Sequence, residues 1–222
     1  MVRERQESGQ TKDRTPETLD LAFESVPSAD FDVLLMEGVG VQVPPGYTAG
    51  RLVRERLGLA TEALQARVGT LCLNGSPVDD LETCALGDGV RIAVSGALPG
   101  LAGACLRRGS VLAAMRAPIT LAATGPGRGG TVTVRLFNVM LRLAGPPLLA
   151  QGVLLDRERL AEFLAGRSRR FWLSARSAHL DGRALDTPLE QSVQASLPSG
   201  RLRLRIAASG EGGGQETLCA SS

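Results

Sequence analysis

The residues best suited to chemistry lie near the end of the chain, where Leu202-Arg203-Leu204-Arg205-Ile206 runs into Gly210-Glu211-Gly212-Gly213-Gly214. A run with almost no β-carbons can pass in extended form through a channel too narrow for other residues. The plainer alternative is a disordered end. The preceding segment alternates apolar and charged residues with period two, which places Leu202, Leu204 and Ile206 on one face of a strand. A strand anchored on that face would fix the root of the glycine run.

Other reactive residue types fall into weaker patterns. Cys72, Cys84, Cys105 and Cys219 contain no C-x-x-C pair, and the single histidine, His179, cannot complete a usual zinc set. The cluster-ligating spacing of plant-type ferredoxins is also absent. Asp79, Asp80, Asp88 and Asp186 lie near turns without the EF-hand pattern. Gly125-Pro126-Gly127-Arg128-Gly129-Gly130 lacks the Gly-Lys-Ser/Thr ending of a phosphate loop and precedes a strand, so it reads as a turn. No metal and no cofactor are expected. Without a recognisable nucleophile–base set, neither is enzymatic activity. Arg169 and Arg170 beside Phe171 and Trp172 form a basic-aromatic cluster, and Arg169, Arg170 and Trp172 are expected on a partner surface.

The elements that must position these residues follow from periodicity. Val132, Val134 and Leu136 alternate as a strand, and Val139, Met140 and Leu143 then switch to helical spacing. Pro146-Pro147 is expected to stop that helix and Leu148 to Leu155 to return as a strand. Asp156 can cap a helix from Arg157 to Ala165 with Leu160, Phe163 and Leu164 inward and Gly166 at its end. Leu180-Asp181-Gly182-Arg183-Ala184-Leu185 reads as a strand and tight turn before the closing strand.

The pattern occurs twice. Phe31 to Met36 and Val39 to Val43 are expected to form a hairpin around Glu37-Gly38, with Thr48 capping a helix through Leu57. Leu71 to Asp80 parallels Leu180 to Asp186, and Leu86 to Val94 parallels Leu197 to Arg205. Ser95-Gly96-Ala97 sits where the glycine run sits in the second repeat, but continues into chain. Ile119 to Ala123 is a further candidate strand.

The segment Val132 to Gly145 resembles the opening of the MoaD/ThiS sulfur-carrier family. The β-β-α-β-β order with a glycine tail after the last strand resembles the β-grasp (ubiquitin-like) fold over roughly Thr131 to Gly214. The resemblance implies an α+β chain of tandem β-grasp domains, each a mixed sheet with one main helix. The boundaries are a disordered tail at 1–29, a first domain at 30–97, a connection at 98–118, a second domain at 119–209 and a flexible tail at 210–222. A single continuous sheet or a helical bundle would overturn the expectation of two β-grasp units at 30–97 and 119–209. The resemblance also implies a tail used by a ThiF-like adenylating enzyme, with Gly212, Gly213 and Gly214 as the conjugation tail. MoaD and ThiS normally end at Gly-Gly, whereas here Gln215 to Ser222 follow. That departure favours cleavage between Gly214 and Gln215 by a processing peptidase, then passage to protein targets through a conjugating enzyme. It resembles bacterial ubiquitin-like proteins of phage defence. A sulfur carrier and a self-assembling, homo-oligomeric scaffold that never conjugates remain alternatives. Cys219-Ala220-Ser221-Ser222 formally fits a prenylation box, but Ser221 stands where an aliphatic residue is usual.

The bulk properties fit that picture. The 222 residues suffice for two small domains. Aromatics are only 3%, so the cores must rest on Leu, Val, Ala and Ile. A net charge of +2 gives no reason to expect nucleic acid. Lys12 is the only lysine, which leaves one acceptor for self-linkage. Arg3-Glu4-Arg5-Gln6 are not followed by the apolar core of a signal peptide, and no segment reaches the ~18 apolar residues of a membrane span. A cytoplasmic location with reduced cysteines and no membrane partner is expected.

Overall fold

A computed structural model describes residues 15–97, 100–107 and 127–209. The strands are β1 (Thr18–Phe23), β2 (Val39–Val43), β3 (Thr70–Leu73), β4 (Ser76–Pro77), β5 (Arg91–Ser95), β6 (Gly130–Phe137), β7 (Val153–Asp156), β8 (Ala175–Leu180), β9 (Arg183–Ala184) and β10 (Arg201–Ala208). The helices are α1 (Asp32–Glu37), α2 (Ala49–Arg51), α3 (Glu62–Gln65), α4 (Gly100–Leu106), α5 (Val139–Gln151), α6 (Arg157–Ala165), α7 (Arg169–Ser174) and α8 (Leu189–Ser196). Leu52–Arg56 continues α2 as a wider π-type turn. The chain is mixed α+β.

All ten strands form one sheet, in the order β4-β3-β5-β6-β2-β7-β10-β1-β8-β9. The expectation of two separate sheets is corrected: the two five-stranded halves meet where β2 pairs with β7 through Gly40 and Leu154. Strands β5 and β6 run parallel, as do β1 and β10, and the other pairs are antiparallel. The halves exchange strands. β1, from the first repeat, lies between β10 and β8, while β6, from the start of the second, lies between β5 and β2. Each parallel pair joins the last strand of one repeat to the first strand of the other.

Residues 18–23, expected within a disordered tail, are therefore a central strand. Their sequence Thr-Leu-Asp-Leu-Ala-Phe alternates, and Leu19, Leu21 and Phe23 are buried. The expected hairpin strand at Phe31–Met36 is instead the short helix α1. It buries Leu34 and Leu35, exposes Val33 and Met36, and ends at Gly38 with φ 113°. A short apolar run does not separate strand from helix by periodicity, and the crossover from β1 to β2 needs the compact form.

Pro146 and Pro147 do not stop α5, which runs on to Gln151, so the expected strand from Leu148 shrinks to Val153–Asp156. Burial of Met140, Ala144, Gly145, Leu148 and Leu149 outweighs the lost backbone donors. A β-carbon on Gly145 would lie 2.9 Å from Leu35 Cδ1, a measure of how closely α5 approaches α1.

Several local expectations hold. Thr48 Oγ1 accepts from the Arg51 amide at 3.2 Å and Gly58 follows with φ 68°. Helix α6 spans Arg157–Ala165 with Leu160, Phe163 and Leu164 buried, but the Asp156 side chain before it makes no capping hydrogen bond and pairs with Arg201 instead. The turns Asn74-Gly75 and Asp181-Gly182 both have two positive φ angles, the geometry that asparagine or aspartate followed by glycine adopts in two-residue hairpins. The candidate strand at 119–123 lies outside the described residues.

Alternation divides the sheet into two faces. Val41, Ile92, Val134, Val153, Leu204 and Leu21 face the helices in one contiguous core. The other face carries Arg91, Arg135, Arg203, Gln42 and Asp20 among small residues.

Because each half depends on a strand from the other repeat, urea unfolding of the whole chain should be a single transition. Far-UV circular dichroism and the emission of Trp172, which reports on the second half, should give coincident curves. Two separated transitions would show that the halves fold independently.

Candidate functional site

The root of the glycine run is built by β10. Leu202, Leu204 and Ile206 are at most 2% exposed, and the strand is paired on both sides, to β7 and to β1. Its outward arginines are tied down in turn. Arg205 pairs with Asp20 on β1, Arg201 with Asp156 at 3.5 Å, and Arg203 Nη2 donates to Gln42 Oε1 at 3.4 Å. These exposed pairs contribute modestly to stability and mainly fix register. The ladder continues to Ser209, whose amide donates to the Phe23 carbonyl at 2.6 Å. Gly212, Gly213, Gly214 and Gln215 lie outside the described residues.

The equivalent point in the first repeat is held differently. The Gly96 amide donates to Asn138 Oδ1 at 2.8 Å, and Asn138 Nδ2 donates to Ser95 Oγ at 2.8 Å. A β-carbon on Gly96 would overlap Val139 Cγ1, and one on Gly69 would lie 2.6 Å from the Gly96 carbonyl. Ser95 and Gly96 are thus packed against the start of α5, with Asn138 held at φ 48°.

The expected partner surface comes apart. Arg169 and Arg170 are exposed on α7, but Trp172 is 8% exposed and stacks edge-on against Phe171 at 5.3 Å. Phe171 also contacts Phe23 and Phe31. Five aromatic side chains gather here, Phe163 joining through Phe31, so Trp172 serves packing, and the exposed apolar neighbour of the two arginines is Leu173 at 70%.

No family model, no curated protein and no solved structure matches this chain. Placement of its residues therefore carries the functional argument.

The turn aspartates have structural uses. Asp88 Oδ1 accepts from the Thr131 amide and Asp80 Oδ1 from the Glu82 amide. Among the described residues no group of three His, Cys, Asp or Glu side chains could hold a metal ion. His179 lies on β8 in register with Asp20 and Ala184. Cys84 is buried, and burial pushes its thiol pKa up, as does nearby Asp80. No described helix is long and apolar enough to cross a membrane.

One polar cluster escaped the sequence-based reading. Tyr47 is buried and donates to Glu55 Oε2 at 2.9 Å, while Arg51 lies 4.7 Å over its ring and bonds the same carboxylate at 3.0 Å. The four-residue spacing of Arg51 and Glu55 was its only local signal. The hydrogen bonds from Arg51 and Tyr47 lower the Glu55 pKa. Burial first, and then the bond to Glu55, push the phenol up to about 12.

Tyr47 is the sole tyrosine, so tyrosinate absorbance reads it directly. The folded chain should titrate near 12, against about 10 when unfolded in urea. Since the folded value is the higher one, this contribution to stability is complete below pH ~10 and lost as pH rises towards ~12. Tyr47→Phe should remove that alkaline dependence. A folded-state midpoint near 10 would contradict the buried hydrogen bond.

Proposed function

We propose that this chain is a ubiquitin-like protein modifier made of two β-grasp repeats whose first strands are interleaved. Its glycine tail is processed, adenylated by a ThiF-like activating enzyme and conjugated to protein targets. The chain is a substrate in that sequence and performs none of its catalysis. The observation that carries the reading is the position of β10: the last strand is paired on both sides and tethered through Ser209, one residue before the glycine run begins. A strand paired on both sides, followed by a segment whose only side chain up to Gly214 is Glu211, suits delivery of a carboxylate into a narrow active site. Parallel pairing of the last strand of each repeat with the first strand of the other, with helical segments between the second and third strands of each repeat, further supports a strand-exchanged β-grasp reading.

The packed Ser95-Gly96 corner supports a division of labour in which only the C-terminal tail is offered to enzymes. A self-assembling scaffold finds less support. The sheet ends in two-residue strands carrying Pro77 on one edge and Arg183 on the other, features that discourage edge-to-edge pairing. A sulfur carrier would use the same tail but no protein target. An antiviral role and a cytoplasmic location stand with the modifier reading as part of the proposal.

Replacing Gly213 and Gly214 together by valine should abolish adenylation by the cognate activating enzyme. Stability should change by less than about 0.5 kcal/mol, as for exposed sites. Adenylation that survives the double substitution would defeat the reading at its central step.

Incubation with the cognate peptidase should release the segment that starts at Gln215, read by intact mass. The new Gly214 carboxylate would then lie five residues past Ser209, about 17 Å in extended form. Covalent adducts formed by an uncleaved chain would rule out this maturation step.

A further inference from the structure

We infer that the sheet face turned away from the main core holds a small-molecule phosphate group between Arg91 and Arg135. This inference is independent of the tail. The backbone register builds the place. Cys72, Ala93 and Arg135 form one row across β3, β5 and β6. Asn74, Arg91 and Thr133 form the next row, with the Asn74 amide donating to the Arg91 carbonyl at 2.8 Å and the Arg91 amide to Asn74 Oδ1 at 2.9 Å. Ala93 is the low point between longer side chains. The result is an open groove of about 500 Å³, within the range of small-ligand sites, bounded at the turn end by Gly75 and Gly89.

The charge of the groove is one-sided. Its lining holds two guanidiniums, an amide and a thiol, and no carboxylate. Arg135 Nε donates to the Glu37 carbonyl at 2.8 Å, which fixes that guanidinium and leaves its two Nη groups for another acceptor. Among the described residues Arg91 has no ion pair and no side-chain hydrogen bond, unlike Arg201 and Arg205 on the same face, which are neutralised by Asp156 and Asp20. Diagonal neighbours on adjacent strands lie roughly 7–8 Å apart, where like charges repel. A single carboxylate is satisfied by one arginine fork, whereas a tetrahedral dianion can be held by two forks from opposite sides. Two uncompensated arginines at diagonal spacing therefore select the phosphate class. Asn74 Nδ2 is a further donor beside Arg91, since its Oδ1 is committed to the Arg91 amide.

The test uses the full-length chain, with inorganic pyrophosphate as probe and succinate as the dicarboxylate control, followed by ¹H–¹⁵N spectra. Expected are saturable shifts of the Cys72, Asn74 and Ala93 amides and of the Arg91 and Arg135 Nε–H signals. Affinity should fall at least about tenfold in Arg91→Gln/Arg135→Gln. Arg91→Lys/Arg135→Lys, which keeps charge but loses the forks, should bind between the two. Both arginines are exposed, so unchanged Trp172 emission would show that the variants fold. Three results would overturn the inference: no saturable shift, shifts spread equally over Arg201, Arg203 and Arg205 as for loose counterions, or equal binding of succinate.

Discussion

Parallel pairing between strands of different repeats is the constraint on which the rest of this fold depends. Neither β5 nor β10 finds its parallel neighbour within its own repeat; each takes the opening strand of the other. The crossovers then have to be long enough to reach across the sheet. Between β1 and β2 the chain is a 3-10 turn and α1, and between β6 and β7 it is α5, which runs through two prolines to Gln151. The aromatic side chains gather in one place. Phe23 and Phe31 arrive with the first repeat and meet Phe163, Phe171 and Trp172 of the second. Removing one of these rings from so dense a contact set costs on the order of 3–5 kcal/mol in comparable cores, a large share of a small protein's stability.

The seam between the halves is narrow and relies on glycine. Gly40 is the point where β2 meets β7, and a β-carbon there would fall 2.9 Å from Leu154 Cβ. At Gly38 an added β-carbon would meet Thr133 Cγ2 at 2.8 Å, and at Gly152 the Arg203 stem at 2.9 Å. Both of those glycines also have positive φ, so side chains would be strained as well as crowded. With little strand pairing at the seam, the helical layer does much of the joining. Arg159 donates to the Gly38 and Leu34 carbonyls, and Arg56 donates to the Gly152 carbonyl at 3.1 Å.

The sheet face turned away from the main core is rich in arginine, and its two halves treat charge differently. On the β10 side, Asp156 and Asp20 pair with Arg201 and Arg205 and lock register around the root of the tail, while Arg203 bonds the Gln42 amide. On the β5 and β6 side, Arg91 and Arg135 form no carboxylate pair among the described residues. The distinction is invisible in the net charge of +2, because it depends on which strands become neighbours.

Local chemistry was legible in the sequence wherever neighbours in the chain decide the outcome. Thr48 as a cap, α6 from Arg157 to Ala165, the Asn74-Gly75 and Asp181-Gly182 turns and the alternation of β10 all follow from short-range rules of capping, periodicity and left-handed turn geometry. Only the tertiary structure decided which strand lies beside which. Thr18–Phe23 carries the alternation of a half-buried strand, but nothing nearby says that its partners are β10 and β8, more than 150 residues away. Phe31–Met36 fits strand or helix by pattern, and the span to be crossed selects the helix. Trp172 beside two arginines looks like a surface cluster, yet it is buried edge-on against Phe171, which Phe23 and Phe31 hold from the first half of the chain. Pairing and burial are set by long-range contacts whose free energy is shared over many residues, so no window of sequence contains them.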